Sequence, residues 1–314
     1  MIKKNLNKID VEDILSSYSI GFYKSHVPLK YIGNNNIYIV ETSRGKYILK
    51  IYKNYDLDYR RFVLSVQDFV SKNDCPTPRV EHTEKGDLFL VFKDKIIAIQ
   101  EYIEGKHPKR YSKSLLVNMA STFSRLNKTL LQYPLKKRNP WKWYDDYQFE
   151  PKLIIDVFGF NIGNENKLFD EMNKLSKFKL RKSVIHADLT PVNILVNKNC
   201  VSGIIDWDSC RQDYITQDIA TVLTCICENN RKVDGNKIAL YINEYEKNFK
   251  LNHEERKSIY YFMKIKMLAH INYAHKLTKK QPENAQSIKE WAYEILKNYR
   301  ALDKLTLEEF IHLI

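Results

Sequence analysis

Residues 184–196 read VIHADLTPVNILV, and residues 202–208 read SGIIDWD. Two apolar runs enclose a loop that carries His186, Asp188 and Asn193, and a third run, Gly203-Ile204-Ile205, delivers Asp206 at its end. Phosphoryl transfer to a hydroxyl asks little covalent chemistry of a protein. It asks for charge neutralisation and alignment of the reacting atoms. Mg²⁺ takes oxygen ligands, usually one or two carboxylates completed by phosphate oxygens and water. Asp206 offers a carboxylate and Asn193 an amide oxygen. Asp188 is then left to accept a hydrogen bond from an attacking hydroxyl and to take its proton. An Asp N-cap or a turn Asn is the plain alternative for each residue taken singly.

Upstream of this stretch the chain changes character. The first 103 residues are rich in β-branched and aromatic runs, and strands are expected at 26–32, 37–42, 46–52, 87–92 and 95–103. Gly33 with Asn34 to Asn36, and then Ser43-Arg44-Gly45, give hairpin signals between them. One helix, 57–71, interrupts the strands and stops ahead of Pro76 and Pro78, which cannot continue it. After Gly105 and Pro108 the apolar spacing becomes three and four, predicting helices near 112–132, 164–176, 215–229, 236–249, 254–277 and 283–310. A small β island sits inside this half at 183–185, 194–196 and 201–205. The expected division is a β-rich region 1–103 and a mainly helical region 104–314. Within Tyr47-Ile48-Leu49-Lys50-Ile51-Tyr52 a lysine lies inside an apolar strand. A buried ammonium is costly unless an anion meets it, although a lysine can also snorkel at a strand edge. Ile48 shares the face of Lys50 by strand alternation and could roof a nucleotide base.

The pattern H-x-D-x-x-x-x-N followed by I-I-D-W-D resembles the aminoglycoside phosphotransferase and choline kinase families, small-molecule relatives of protein kinases. The resemblance covers about residues 28 to 230. It implies an α+β, bilobal protein-kinase-like fold with a small β-rich N-lobe and a larger helical C-lobe. It implies Asp188 as the catalytic aspartate, Asn193 and Asp206 as magnesium ligands, and Asp208 as an additional acidic group. His186 would serve mainly as a scaffold for the loop. Gln217-Asp218-Ile219-Ala220 resembles the family's D-L-A helix start, where Asp218 would brace the catalytic loop. Lys50 matches the lysine that meets the α- and β-phosphates. Gly33 and Asn35 fall where a phosphate-covering hairpin belongs. Gln100-Glu101-Tyr102-Ile103-Glu104-Gly105 resembles the lobe connector, whose backbone at Glu101 and Ile103 would bond the base. The cofactors so implied are Mg²⁺ and ATP or GTP, and the partner is a small hydroxylated acceptor such as an aminoglycoside, an amino alcohol or a sugar. Two positions depart from the pattern. The helix glutamate that pairs with the lysine is expected at Val63, with Gln67 and Asp68 the nearest polar groups, so that ion pair is missing or made differently. The helix 112–131 reads Leu126-Asn127 where a Leu-His pair is usual. Spore-coat relatives of the same family, catalytically weak or inactive, supply the alternative reading: a structural or binding protein.

The acceptor side is read from a dense cluster, Trp141, Trp143, Tyr144, Tyr147 and Phe149 with Asp145 and Asp146. Such groups suit a cationic amino alcohol or aminosugar, although aromatic residues at this density also serve helix packing. Glu228 is a second acidic candidate. The formal charge of +13 is scattered along the chain without a basic run, which suits an anionic ligand such as a nucleotide and gives nucleic acid no motif. Five cysteines without a C-x-x-C pair argue for reduced thiols and a cytoplasmic setting, or the spore coat on the alternative reading. No apolar run reaches the length of a membrane span, and residues 1–20 lack the apolar core of a secretory signal.

Overall fold

The structure is a computed structural model and describes residues 6–29, 35–53, 56–134 and 178–314. Gly33, Trp143, Tyr144, Asp145 and the expected helix 164–176 lie outside the described residues. The chain divides into two compact units. The first comprises residues 1–106 with 202–208, and the second residues 107–201 with 209–314.

The first unit is built on an antiparallel sheet whose main path runs β1 (Tyr23–Pro28), β2 (Asn36–Thr42), β3 (Gly45–Tyr52), β6 (Lys95–Glu101) and β4 (Val80–Glu81), with β5 (Leu90–Phe92) also paired to β6. Alternation along β3 and β6 divides their side chains between two faces. Leu49, Ile51, Ile97 and Ile99 join Val11, Ile14 and Leu15 of helix α1 (Lys8–Leu15) in one buried cluster. Tyr52, Ile96 and Ala98 pack with Leu64 of helix α2 (Leu57–Ser71) on the other. Lys50 belongs to this second face, one residue out of phase with Leu49, and is 5% exposed. Helix α2 starts at an Asp56 cap, whose carboxylate accepts the Tyr59 N–H at 2.9 Å. Helix α1 and β4 were not expected from the sequence. Residues 202–208 are tied to this unit through one turn: the Ile204 N–H donates to the Pro76 carbonyl at 2.7 Å, and the Thr77 hydroxyl donates to the Ile204 carbonyl at 2.6 Å. The indole N–H of Trp207 donates to the Thr77 oxygen at 2.7 Å.

The second unit is helical. It contains α3 (Lys113–Leu130), α4 (Thr216–Asn230), α5 (Gly235–Tyr245), α6 (His253–Lys280), α7 (Ala285–Asp303) and α8 (Leu307–Leu313). Helix α6 packs on both α4 and α7, and α5 packs on α3. Strand β7 (Lys182–Ile185) pairs antiparallel with β10 (Arg211–Tyr214), an element the sequence pattern did not suggest. Between them β8 (Ile194–Asn197) and β9 (Cys200–Ile204) are joined by Lys198 and Asn199, at φ 48° and 62°. Both residues are in the left-handed region that a two-residue hairpin turn demands. The expected helix 283–310 is two helices. Thr306 opens α8 with a capping box, its hydroxyl receiving the Glu309 N–H while the Glu309 carboxylate receives the Thr306 N–H.

Candidate active site

The candidate residues form two groups, one in each unit. In the first, β3 carries Lys50 into the α2 face of the sheet, and the end of β9 brings Asp206 and Asp208 to it. The Lys50 ammonium donates to Asp206 Oδ1 at 2.8 Å and stands 3.0 Å from Asp208 Oδ1. Burial opposes the charged form of Lys50, but the Asp208 and Asp206 carboxylates outweigh it and hold the ammonium above the usual lysine pKa. Asp206 has φ 59°, a left-handed conformation that re-aims its side chain as the strand ends.

The helix side of this cluster is the main departure from the family pattern. Val63, at the place of the expected glutamate, is buried and apolar. Gln67 is spent on scaffold, donating to the Pro78 carbonyl at 2.8 Å and accepting from Gln100 at 3.2 Å. Helix α2 instead contributes a cation. Arg60, 4% exposed, donates through Nη1 to Asp208 Oδ1 at 2.8 Å, and its guanidinium lies 3.5 Å from the centroid of the Tyr52 ring. The Tyr59 hydroxyl donates to the Asp208 carbonyl, and Asn35 Nδ2 donates to Asp208 Oδ2 at 2.5 Å. Asp208 is thus held by Lys50, Arg60 and Asn35 together. Lys50 finds its counter-ions on the two aspartates rather than on α2. Nothing in the sequence separates Arg60 from Arg61 beside it, whose side chain is 63% exposed; only the helix phase does.

Residues expected to meet a base sit on and after β6. The Glu101 N–H donates to the Arg79 carbonyl at 2.9 Å and the Glu101 carboxylate meets Arg79 at 3.2 Å. Ile48 lies on β3 in register with Gln100.

In the second unit the loop after β7 is held from beneath. The Asp218 carboxylate, 1% exposed at the start of α4, accepts the N–H of His186 at 2.9 Å and of Ala187 at 2.8 Å. Burial pushes the Asp218 pKa up, against the pull of His186, the two N–H donors and Arg211. Ala187 is at φ 68° and the His186 ring is fully buried, with its Nδ1 receiving the Asp188 N–H at 3.3 Å. Asn193 Nδ2 donates to Asp188 Oδ2 at 2.8 Å and to the Asp188 carbonyl at 2.9 Å. That orients the Asp188 carboxylate and leaves the Asn193 amide oxygen as its donor to a cation. The other carboxylate oxygen, Asp188 Oδ1, stands 3.8 Å from the ammonium of Lys266 on α6. One turn further along α6, His270 Nδ1 is 2.8 Å from Glu228 Oε1 of α4. Cys225, one turn before Glu228, is buried; burial, then Glu228, raises its thiol pKa, while Lys266 opposes and Asp188 adds. Lys266 was not singled out by the sequence, because a charged residue on a long helix reads as solvent-facing, and His270 read only as part of that helix's apolar stripe.

Among the described residues no cluster of three or more His, Cys, Asp or Glu side chains could hold a metal ion by itself. Asp206 in the first unit offers a partly exposed carboxylate, and Asn193 in the second an amide oxygen, each of the oxygen type that hard cations take. No disulfide joins Cys75, Cys200, Cys210, Cys225 and Cys227. No helix among the described residues is long and apolar enough to cross a membrane.

The chain is similar to known proteins in sequence and in fold. The model of the phosphotransferase enzyme family matches residues 32–248. A homoserine kinase of Rhodospirillum rubrum is 26% identical over 245 residues, covering 76% of each chain. One from Rhodopseudomonas palustris is 22% identical over 255 residues, covering 80% of this chain and 78% of that one. Among solved structures, the amicoumacin kinase hAmiN, in complex with AMP-PNP and Ca²⁺, superposes with a TM-score of 0.73 at 16% identity, covering 96% of this chain and 95% of that one. A choline kinase from Streptococcus pneumoniae gives 0.59 at 15% identity, covering 91% and 97%. These likenesses show the kinase-like fold.

Proposed function

The chain belongs to the phosphotransferase enzyme family, and from that premise we propose that it moves the γ-phosphoryl group of ATP or GTP onto a hydroxyl of a small molecule. The observation that carries the reading is the convergence of the buried Lys50 ammonium on Asp206 and Asp208, at 2.8 and 3.0 Å. A fold has little reason to bury a lysine against two partly exposed carboxylates unless phosphate and metal are to replace part of that network.

In this reading Lys50 binds the α- and β-phosphates, and Ile48 covers the base beside the backbone of Glu101 and Ile103. Asp206 and Asn193 would hold Mg²⁺, which when bound neutralises phosphate charge. Asp208 is a brace on Lys50 rather than a ligand, because Arg60 and Asn35 already occupy its oxygens. Asp188, oriented by Asn193, accepts the hydrogen bond of the attacking hydroxyl and receives its proton. His186 and Asp218 fix the loop. The names of the sequence relatives make homoserine the first acceptor to try, ahead of the antibiotics, aminosugars and amino alcohols of the structural neighbours.

Two measurements test this. Mg²⁺–ATP and Mg²⁺–GTP should each be titrated in a thermal-shift assay, since a ligand that binds only the native state raises the midpoint, by about 2.7 kcal/mol of stability at a hundredfold excess over Kd. Asp188→Ala should cut turnover by about 10² or more, the scale for a positioned base. Full activity in that variant would remove Asp188 from the role. No shift with millimolar nucleotide would favour the structural, non-catalytic alternative.

A further inference from the structure

The charges around Asp188 in the second unit are unusual for a site that only has to take a proton. Lys266 stands 3.8 Å from Asp188 Oδ1, on a side chain only 18% exposed, where sheltering an ammonium from water needs a reason. The second feature lies one helical turn away. Lys266 and His270 are i and i+4 on α6, so they point along one face with a rise of about 6 Å between them. His270 holds the Glu228 carboxylate at 2.8 Å and lies 6.0 Å from the Trp291 ring of α7, which backs the imidazole. Glu228 and His270 are each 14% exposed, so the acid is sheltered and has a fixed direction. One strip of the α4–α6 surface therefore presents, in order, a proton-accepting carboxylate, an ammonium and a carboxylate.

We propose that this strip is an acceptor subsite for a hydroxylated zwitterion of the amino-acid type. The hydroxyl lies on Asp188, the acceptor's carboxylate draws the Lys266 ammonium away from Asp188, and its ammonium rests on Glu228. The proposal rests on the phosphotransferase reading and narrows it. A polycationic acceptor would meet Lys266 as a like charge, and a neutral sugar would leave both groups unmatched.

The test uses three acceptors with the same hydroxyl arm. L-Homoserine carries both charges, 3-aminopropan-1-ol lacks the carboxylate, and 4-hydroxybutanoate lacks the ammonium. With Mg²⁺–ATP, wild-type kcat/KM for L-homoserine should exceed both analogues by about 10- to 100-fold, the scale of one charge-assisted hydrogen bond. Lys266→Met should collapse the homoserine-to-aminopropanol ratio toward one, and Glu228→Gln the homoserine-to-hydroxybutanoate ratio. Acceptor-induced thermal shifts should follow the same order without turnover. The Mg²⁺–ATP shift of each variant reports separately on its folding and nucleotide binding. Equal losses on all three acceptors in Lys266→Met would put the lysine on the transferred phosphoryl group and overturn the proposal. So would a wild type that binds nucleotide yet does not prefer the zwitterion. A wild type that binds no nucleotide would instead bring down the phosphotransferase reading itself.

Discussion

Replacing Arg60 with Met tests whether α2 works through a cation. Methionine keeps an unbranched apolar stem to lie against Tyr52 while the guanidinium is lost. Truncating one partner of a buried ion pair costs about 3–5 kcal/mol when the other charge is stranded. Here the remaining charge is not stranded. Asp208 keeps Lys50 at 3.0 Å and Asn35 at 2.5 Å, and its side chain is 26% exposed. Solvent and these donors therefore recover a good part of the loss. The guanidinium also leaves the Tyr52 ring face, worth about 0.5–2 kcal/mol. The balance is a loss of about 2–3 kcal/mol in urea denaturation. A double-mutant cycle with Asp208→Asn should show a coupling of about 1–2 kcal/mol, as for residues in one network. Arg60→Glu, which brings an acid back to this helix, should be worse than Arg60→Met, because it sets a third carboxylate against Asp208. An Arg60→Met variant within about 0.5 kcal/mol of wild type, the range of an ordinary surface change, would refute the reasoning. So would an Arg60→Glu variant that is the more stable of the two.

Further expectations concern the second unit. Glu255, at the head of α6, receives Arg181 Nε at 2.7 Å and Nη2 at 2.6 Å, together with the Asn252 N–H at 3.0 Å. Burial alone would raise its pKa, but Arg181 and the Asn252 N–H outweigh it and hold it below the ordinary value of 4.5. A depressed folded-state pKa contributes stability that is complete above the unfolded value and is lost as pH falls through the folded one. Glu255→Gln should therefore lower the urea midpoint at pH 7 and approach wild type below about pH 4, in midpoints followed across pH. Ala187 sits at φ 68°. A non-glycine residue pays about 1–2 kcal/mol there and glycine returns about 0.5–1 kcal/mol of backbone entropy, so Ala187→Gly should gain up to about 1 kcal/mol and Ala187→Val should lose. Asp218→Asn presents an amide that can accept only one of the two backbone N–H groups, and with the site buried it should cost about 1–3 kcal/mol in the same assay.

What the sequence made legible was whatever depends on local pattern. Helix α2 carries the expected bounds, 57–71, because Asp56 caps it and the prolines after it forbid continuation. The H-x-D-x-x-x-x-N loop and I-I-D-W-D run announced the fold because their residue types and spacing together resemble one family's pattern. The division of 283–310 into α7 and α8 was also readable, in the capping box Thr306-Leu307-Glu308-Glu309, but it was masked by apolar periodicity that continues through the break. Asn7, which caps α1 by accepting the Asp10 N–H at 2.8 Å, is a similar signal in a charged segment. Arg60 and Lys266 belong to another class. Each is one charge among several on a helix, and its meaning depends on which residue, more than a hundred or several tens of positions away, the fold sets against it. Periodicity gives helix phase only where one face is apolar. Helix α6 is buried on more than one side, through residues from Ile259 to His275, so its sequence does not single out Lys266.

The inversion of charge on α2 changes what the lysine depends on. With an acid on that helix, the ion pair would fix Lys50 and leave the two aspartates to other partners. Here valine takes that place, and Lys50 has Asp206 and Asp208 as its counter-ions. A lysine so placed needs a second cation to keep the cluster neutral, since two carboxylates within about 3 Å of one ammonium would otherwise carry an excess negative charge. Arg60 is that cation, and it lies on the one oxygen of Asp208 that Lys50 also uses. The cluster therefore balances as two cations and two carboxylates, with Asp208 shared and Asp206 held by Lys50. Helix α2 still governs the lysine, but through Asp208. An engineered glutamate at Val63 would not restore the usual pair; it would compete with Asp206 and Asp208 for an ammonium already committed to both.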